Sequence, residues 1–274
     1  MYKPSRNRIP RPFLKWAGGK TQLLPELLKS IDSYGGDYHE PFIGGGALFF
    51  EHKPKRAYLS DLNEELIDCF LSVRDCVDDV IAKLKEHVYE KEYYYGIRAL
   101  DPQEMEPAER AARTIYLNRS GFNGLYRVNS KGIFNVPFGR HKNPQLCDEA
   151  NLRGCSEILK EIEIVCAPFV SVLDNAKKGD FVYFDPPYIP ISKTAYFTSY
   201  EKNGFGMDMQ EALADVFDAL ANKGVQVMLS NADVPWIHTR YKEYDIRVVQ
   251  ARRCVNSNKD KRGPVGEVIV KSFK

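Results

Sequence analysis

Residues 37–61, DYHEPFIGGGALFFEHKPKRAYLSD, decide the fold. Residues 37–43 read as a short strand and run straight into Gly44, Gly45 and Gly46. ALFFEH at 47–52 opens a helix, and AYLSD at 57–61 reads as a second strand ending on Asp61. Glycines after a strand let the backbone approach a ligand closely. A carboxylate at the end of the neighbouring strand can accept both hydroxyls of a ribose. This order is that of a nucleotide-type site in a doubly wound sheet. The loop is F-x-G-G-G rather than G-x-G-x-x-G, so a nucleoside suits it better than a dinucleotide. The plainer reading of Asp61 is a strand-end turn.

The second informative stretch is VYFDPPYIP at 182–190. Val182, Tyr183 and Phe184 suit a strand interior, whereas Asp185 is costly to bury. Pro186 and Pro187 donate no backbone hydrogen bond and cannot continue a central strand. The chain therefore leaves the sheet at Asp185, with a stiffened backbone where Tyr188 emerges. An ordinary polar-plus-proline turn is the alternative. A rival site is WAGGKTQLL at 16–24, where Gly19-Lys20-Thr21 looks like the end of a phosphate loop. That pattern requires glycine at position 14, where Leu14 stands, and no strand precedes it. An ordinary P-loop ATPase or kinase is therefore set aside.

Further along, Leu66, Phe70 and Val73 fall at helical spacing, and residues 78–117 read mostly as helices and polar turns. From 118 to 147 glycine, asparagine, aromatics and bases make a poor core and an exposed binding element. Strand-like runs return at 162–166, 180–184 and 225–230, with a helix over 208–222. The alternating ends IRVVQARR and VGEVIVKSF suggest a final hairpin. Strands and helices alternating at both ends, interrupted in the middle, suggest an α/β domain with an insertion.

The 274 residues suffice for a substantial core. Hydrophobic residues make up 43% and charged residues 28%, an ordinary soluble composition. No apolar stretch approaches the ~18–20 residues of a membrane span. The basic start MYKPSRNRIPRPF has no apolar segment behind it and does not read as a signal peptide. Cys69, Cys76, Cys147, Cys155, Cys166 and Cys254 form no C-x-x-C pair, and the five histidines are scattered. No metal is expected, and reduced cysteines in a cytoplasmic protein are the simplest reading. Net charge is only +2, but residues 1–25, 110–147 and 251–263 together hold 18 Lys/Arg against one acid, Asp260. If these windows share a face, that face suits a polyanion; otherwise they solvate separate sides.

The order FLKWAGGK, EPFIGGGALFF, LSDLN, NRSGFNGLYRVNSKGIFNVPFGR, FDPPY and TAYFTSY resembles the Dam family of DNA adenine methyltransferases, the D12 class of alpha-type amino methyltransferases. The resemblance covers about residues 12 to 270, and the members it points to methylate GATC. It implies an α/β fold: a doubly wound, Rossmann-like methyltransferase sheet with a mainly helical target-recognition insert carrying a DNA-binding hairpin. The implied catalytic domain spans 1–66 and 160–274, and the implied target-recognition domain 67–159. S-adenosylmethionine is the implied methyl donor, and the 6-amino group of adenine in double-stranded DNA the acceptor. No obligate protein partner is implied.

An aromatic amine is a poor nucleophile because its lone pair is delocalised. Acceptors for its hydrogens favour a pyramidal nitrogen, and Asp185 with the Pro186 carbonyl can be two of them. Pro187 adds no competing N–H, and Tyr188 can stack on the base. Inside a duplex the amine is out of reach, so the adenine must be flipped out. By resemblance, Trp16, Lys20, Phe42, Gly44, Asp61 and Asp185 belong to the donor region. Phe169 either packs on the donor's adenine or is an ordinary core residue. In the insert, Phe122 matches an intercalating aromatic, while Asn123, Leu125 and Arg127 match base-contacting positions. Lys15 matches a residue that reads the outer guanine. Arg119, Lys131, Arg140 and Lys142 either contact phosphate, which is favoured, or form a solvated face. The 192–200 loop is expected near the flipped base, and RRCVNSNKDKRG either touches DNA backbone or is a basic loop. The same chemistry on another GAT-containing site remains open, as does a methyltransferase of an RNA or protein amino group. A DNA-binding protein that has lost catalysis is the alternative from another class.

Overall fold

The computed structural model describes residues 10–189, 205–252 and 264–274. The expected 192–200 loop, the basic start at 1–9 and the stretch 253–263 lie outside the described residues. Seven strands make one sheet: β1 (Tyr38–Glu40), β2 (Ala57–Asp61), β3 (Glu163–Cys166), β4 (Phe181–Phe184), β5 (Gln226–Ala232), β6 (Asp245–Arg252) and β7 (Pro264–Lys271). Their order is β3-β2-β1-β4-β5-β7-β6. The pairs β1 with β2, β1 with β4 and β4 with β5 are parallel, while β7 runs antiparallel to both β5 and β6. Tyr38 lies opposite Ala57 on one side and Phe181 on the other. The strand order reverses between β1 and β4, and the crevice at the carboxyl ends of such strands is where doubly wound sheets bind ligands.

The chain divides into two compact units. The second unit is Gln22–Ile43, Pro54–Ser60 and Ala167–Lys274. Its central strands are buried on both faces, and all four residues of β4 are inaccessible. That explains the unbroken FVYF, because a strand covered on both sides has no polar face to alternate. Helix Met207–Asn222 lays Leu213, Ala214, Phe217 and Leu220 against this core at helical spacing.

The first unit is Met1–Thr21, Gly44–Lys53 and Asp61–Cys166. It is mainly helical: Ala47–His52, Glu64–Asp75, Val77–Glu86, Lys91–Ala99, Pro107–Ser120 and Glu149–Leu159. Helix Glu64–Asp75 starts where the Asn63 side chain accepts the Leu66 N–H at 3.0 Å. It buries Leu66, Phe70 and Val73 as their spacing predicts. Pro107 opens the 107–120 helix, a position where its missing N–H costs nothing. Phe13, Phe50 and Phe70 form an aromatic knot, with Phe13 and Phe70 centroids 4.9 Å apart.

Two expectations are corrected. The first strand ends at Glu40 rather than residue 43, because Pro41 cannot extend the ladder. The exposed element begins after Ser120 rather than at 118, since Asn118 and Ser120 are buried in the last turn of the 107–120 helix. The Asn118 side chain is spent inside the unit and Ser120 is wholly buried, so composition alone mistook them for surface.

Candidate active site and nucleic-acid interface

In the second unit, β4 delivers Asp185 to the end of the sheet, half-buried, and the turn that follows is fastened from three directions. Gln210, in helix Met207–Asn222, donates from Nε2 to the Pro187 carbonyl at 2.8 Å. Asn231 of β5 donates from Nδ2 to Gln210 Oε1 at 3.1 Å. Its Oδ1 accepts the Ile189 N–H at 3.2 Å and the Ala232 N–H at 2.8 Å. Gln210 is 3% exposed and Asn231 is fully buried. Such a pair is rigid, because breaking either bond strands a polar group in the core. The third fastening is Glu267 of β7, whose Oε2 accepts the Tyr188 hydroxyl at 2.7 Å. Burial first, then the Asp185 charge, pushes the Tyr188 phenol well above its ordinary 10. Tyr188 is therefore a neutral donor at physiological pH.

Phe42 follows Pro41 at the carboxyl end of β1. Its ring stacks on Phe169 at 5.4 Å and meets Phe205 edge-on at 5.6 Å and Phe184 at 6.3 Å. Phe169 is 2% exposed, a core residue whose ring nonetheless backs the half-buried Phe42. The result is an aromatic wall beside the β4 exit.

In the first unit, Asp61 Oδ2 accepts the Gly44 N–H at 3.1 Å and Oδ1 accepts the Asn63 N–H at 3.0 Å. Burial raises the Asp61 pKa, and the Asn63, Gly44 and Leu62 N–H groups oppose that rise. Gly44 has φ +46°, and a Cβ there would stand 2.8 Å from Trp16 Cδ1. Only glycine lets the loop lie this close to the indole. Trp16 in turn stacks on Tyr126, with centroids 4.9 Å apart at 23°. Lys20 is buried, and its Nζ donates to the Gly18 carbonyl at 2.6 Å.

The recognition segment presents Phe122, 51% exposed, on a tight turn at Phe122–Gly124 in which Asn123 adopts φ 57°. Asn123, Arg127, Lys131, Arg140 and Lys142 are exposed and Leu125 is half-buried. Residues 127–135 fold back on themselves: Val128 bridges Phe134, and Asn135 N–H donates to the Arg127 carbonyl at 3.0 Å. The Arg127 guanidinium leans on this hairpin, donating to Asn135 Oδ1 at 2.6 Å and to the Asn135 carbonyl at 3.1 Å. Arg119 stands apart from the other bases. It is half-buried and donates to the Phe13 carbonyl at 2.8 Å, and burial lowers its pKa. A phosphate contact at Arg119 has to compete with that bond.

A profile of the family described as D12 class N6 adenine-specific DNA methyltransferase matches residues 16–255. The chain belongs to that family. It is an adenine-specific DNA methyltransferase, and its relatives span nearly its full length. The type II methyltransferase M1.LlaDCHI of Lactococcus lactis subsp. cremoris is 45% identical over 271 residues, covering 96% of this chain and 95% of that one. The type II methyltransferase M.MjaIII of Methanocaldococcus jannaschii is 40% identical over 274 residues, covering 92% and 95%. The DNA adenine methylase of Haemophilus influenzae is 37% identical over 265 residues, covering 94% and 92%. The seven-stranded mixed sheet is a Rossmann-like methyltransferase sheet.

Sequence reasoning missed the residues that hold the methyltransferase's motifs in place: Gln210, Asn231 and Glu267 in one unit, Asn118 and Tyr126 in the other. Gln210 left a signal. It is the one amide on the apolar stripe of its helix, at the position where the stripe meets the core.

Proposed function

We propose that the enzyme moves a methyl group from S-adenosylmethionine to the 6-amino group of adenine in double-stranded DNA, within GATC, on a base turned out of the stack. The observation that carries this reading is the fastening of Asp185–Ile189 by Gln210, Asn231 and Glu267. An arylamine needs its hydrogens accepted in one fixed geometry, and a pinned carboxylate, carbonyl and ring offer that preorganisation.

The residues fit the donor. Asp61 Oδ2 takes the Gly44 N–H and Oδ1 the Asn63 N–H, and a carboxylate, with about four acceptor sites, can still accept the hydroxyls of a ribose diol. Trp16 and Gly44 lie against each other beside it. The donor would bring a methyl group already activated on a sulfonium, so the protein need supply no strong base. In this reading Asp185 and the Pro186 carbonyl accept the amino hydrogens, Pro187 withholds a competing N–H, and Tyr188 stacks on the extruded adenine. Extrusion costs a few kcal/mol of stacking and pairing, which that stacking partly offsets.

Residues 67–159 then serve as the target-recognition domain and 1–66 with 160–274 as the catalytic domain. Phe122 would wedge into the gap left by the base. Lys15, Asn123, Leu125 and Arg127 would read the flanking pairs, and Lys131, Arg140 and Lys142 would neutralise phosphate. The exposure of Lys15, Phe122, Asn123, Arg127, Lys131, Arg140 and Lys142 supports such contacts. Such an enzyme works in the cytoplasm, where its DNA lies. The decisive experiment is methylation of random-sequence DNA with labelled donor, followed by mapping of modified adenines. A GATC consensus is expected. Labelled adenines in a different consensus would retain the chemistry and replace the target. Label only in RNA or protein would overturn the proposal.

A further inference from the structure

Asn118 sits in the last turn of the 107–120 helix, is 1% exposed, and spends its whole amide on two other segments. Its Oδ1 accepts the Lys15 N–H at 2.8 Å. Its Nδ2 donates to the Lys15 carbonyl at 2.8 Å and to the Gly124 carbonyl at 3.0 Å. One side chain therefore grips the Lys15 peptide from both ends and ties it to the Phe122–Gly124 turn. The Lys15 stem lies directly over Gly124, where a Cβ would stand 2.3 Å from Lys15 Cδ. The next stretch repeats the contact with aromatics. Trp16 stacks on Tyr126, and the Tyr126 hydroxyl donates to Glu65 Oε2 at 2.8 Å. Glu65 is itself held by the buried Arg113 at 3.2 Å.

We propose that Asn118 is a positioning residue for target reading: it sets the spacing between Lys15 and the Phe122–Arg127 turn, and thereby the discrimination at the base pair that Lys15 meets. The inference rests on the reading of Lys15 as an outer-guanine contact. Discrimination through a hydrogen bond requires its donor to be held to within about 0.5 Å of the productive position. Lys15 has a long, exposed side chain with many rotamers, so its precision comes from its backbone and from the turn beneath its stem. Asn118 fixes both. Among the described residues, Asn118 is the side chain whose amide bonds both segments.

The test is the ratio of kcat/KM on a GATC duplex to that on a duplex with the outer guanine replaced. It is measured for the wild type and for Lys15→Ala, Asn118→Ala, their double variant, and Gly124→Ala. Lys15→Ala is expected to lower the ratio about tenfold or more, the scale of one lost base-edge contact. Asn118→Ala should lower the same ratio by a similar factor, and the double variant by no more than Lys15→Ala alone, since both act through one contact. Ratios at the inner positions should stay within about twofold by the same additivity argument. Gly124→Ala keeps the Asn118 side chain but sets a Cβ at φ +64° against the Lys15 stem, moving the stem and the turn relative to each other, so it should reproduce the loss. It carries the test if Asn118→Ala does not fold. Equal losses on every duplex would mark Asn118 as merely structural and overturn the proposal, as would additive losses in the double variant. If Lys15→Ala alone leaves the ratio unchanged, the reading of Lys15 falls and takes the proposal with it. If Lys15→Ala lowers the ratio while Asn118→Ala and Gly124→Ala do not, the proposal alone falls.

Discussion

The Tyr188 hydroxyl donates to Glu267 Oε2 at 2.7 Å, so the ring that closes the DPPY turn is held by a strand from the far end of the chain. Removing the carboxylate removes the acceptor that the Tyr188 hydroxyl uses on β7. Glu267→Ala is expected to lower the single-turnover methylation rate by ~10–100-fold, the scale set by loss of a positioning contact. Glu267→Gln keeps an acceptor and should recover most of that loss. Donor affinity, read by calorimetry, should change little in either variant. Equal rates for the alanine variant and the wild type would remove Glu267 from the machinery.

Asp185→Ala should keep donor and DNA binding and lose methyl transfer by roughly 10²–10³-fold or more, as other preorganised polar groups do. Single-turnover kinetics with saturating DNA separate the two. Turnover near the wild-type rate would show that the acceptor of the amino hydrogens lies elsewhere.

Asp61 supplies a pH dependence with a definite sign. Burial holds its folded pKa above the ordinary 3.8, against the pull of three N–H donors. The folded state then binds the proton more tightly than the unfolded chain does. Its contribution to stability is therefore most favourable below that window and declines as pH rises through it. The melting temperature of wild type relative to Asp61→Ala should accordingly move against the wild type as pH rises from the ordinary carboxylate value through the raised one. Donor affinity should move the other way, because the charged form accepts the hydroxyls. It should strengthen as pH rises through the raised pKa, and Asp61→Ala should bind the donor roughly 10–100-fold more weakly at neutral pH, the worth of one or two charge-assisted bonds. Unchanged affinity would remove Asp61 from the donor site.

Arg127 and Lys142 are both exposed, but only Arg127 is oriented by a hairpin partner, Asn135. Arg127→Ala is expected to relax preference at one outer position of the target, costing ~1–3 kcal/mol of discrimination there. Lys142→Ala should weaken cognate and non-cognate DNA alike and reduce the salt slope by about one unit. A panel of single-base-substituted duplexes at fixed salt distinguishes them. Uniform losses for Arg127→Ala would make it a backbone contact.

The elements around the motifs are legible in the chain because their signals are local. FVYF before two prolines, three glycines between a strand and a helix, and Leu66, Phe70 and Val73 at helical spacing each depend only on neighbours in sequence. The same locality exposes the final β6–β7 hairpin. Arg119 shows where it fails. A base in a basic segment looks solvent-facing, yet here its guanidinium folds back onto the Phe13 carbonyl.

By itself the sequence determined the α/β order, the glycine loop, the DPPY turn and the family, since these follow from residue type at short spacing. Only the tertiary structure decided that β7 inserts between β5 and β6, bringing Glu267 to Tyr188, and that Gln210 and Asn231 meet beneath Pro187. It also decided that Asn118 joins Lys15 to Gly124 across more than a hundred residues of chain. The physical reason is common to all three. A buried amide or carboxylate must find partners wherever packing places them, and those partners are distant in sequence, so no local pattern announces the pairing.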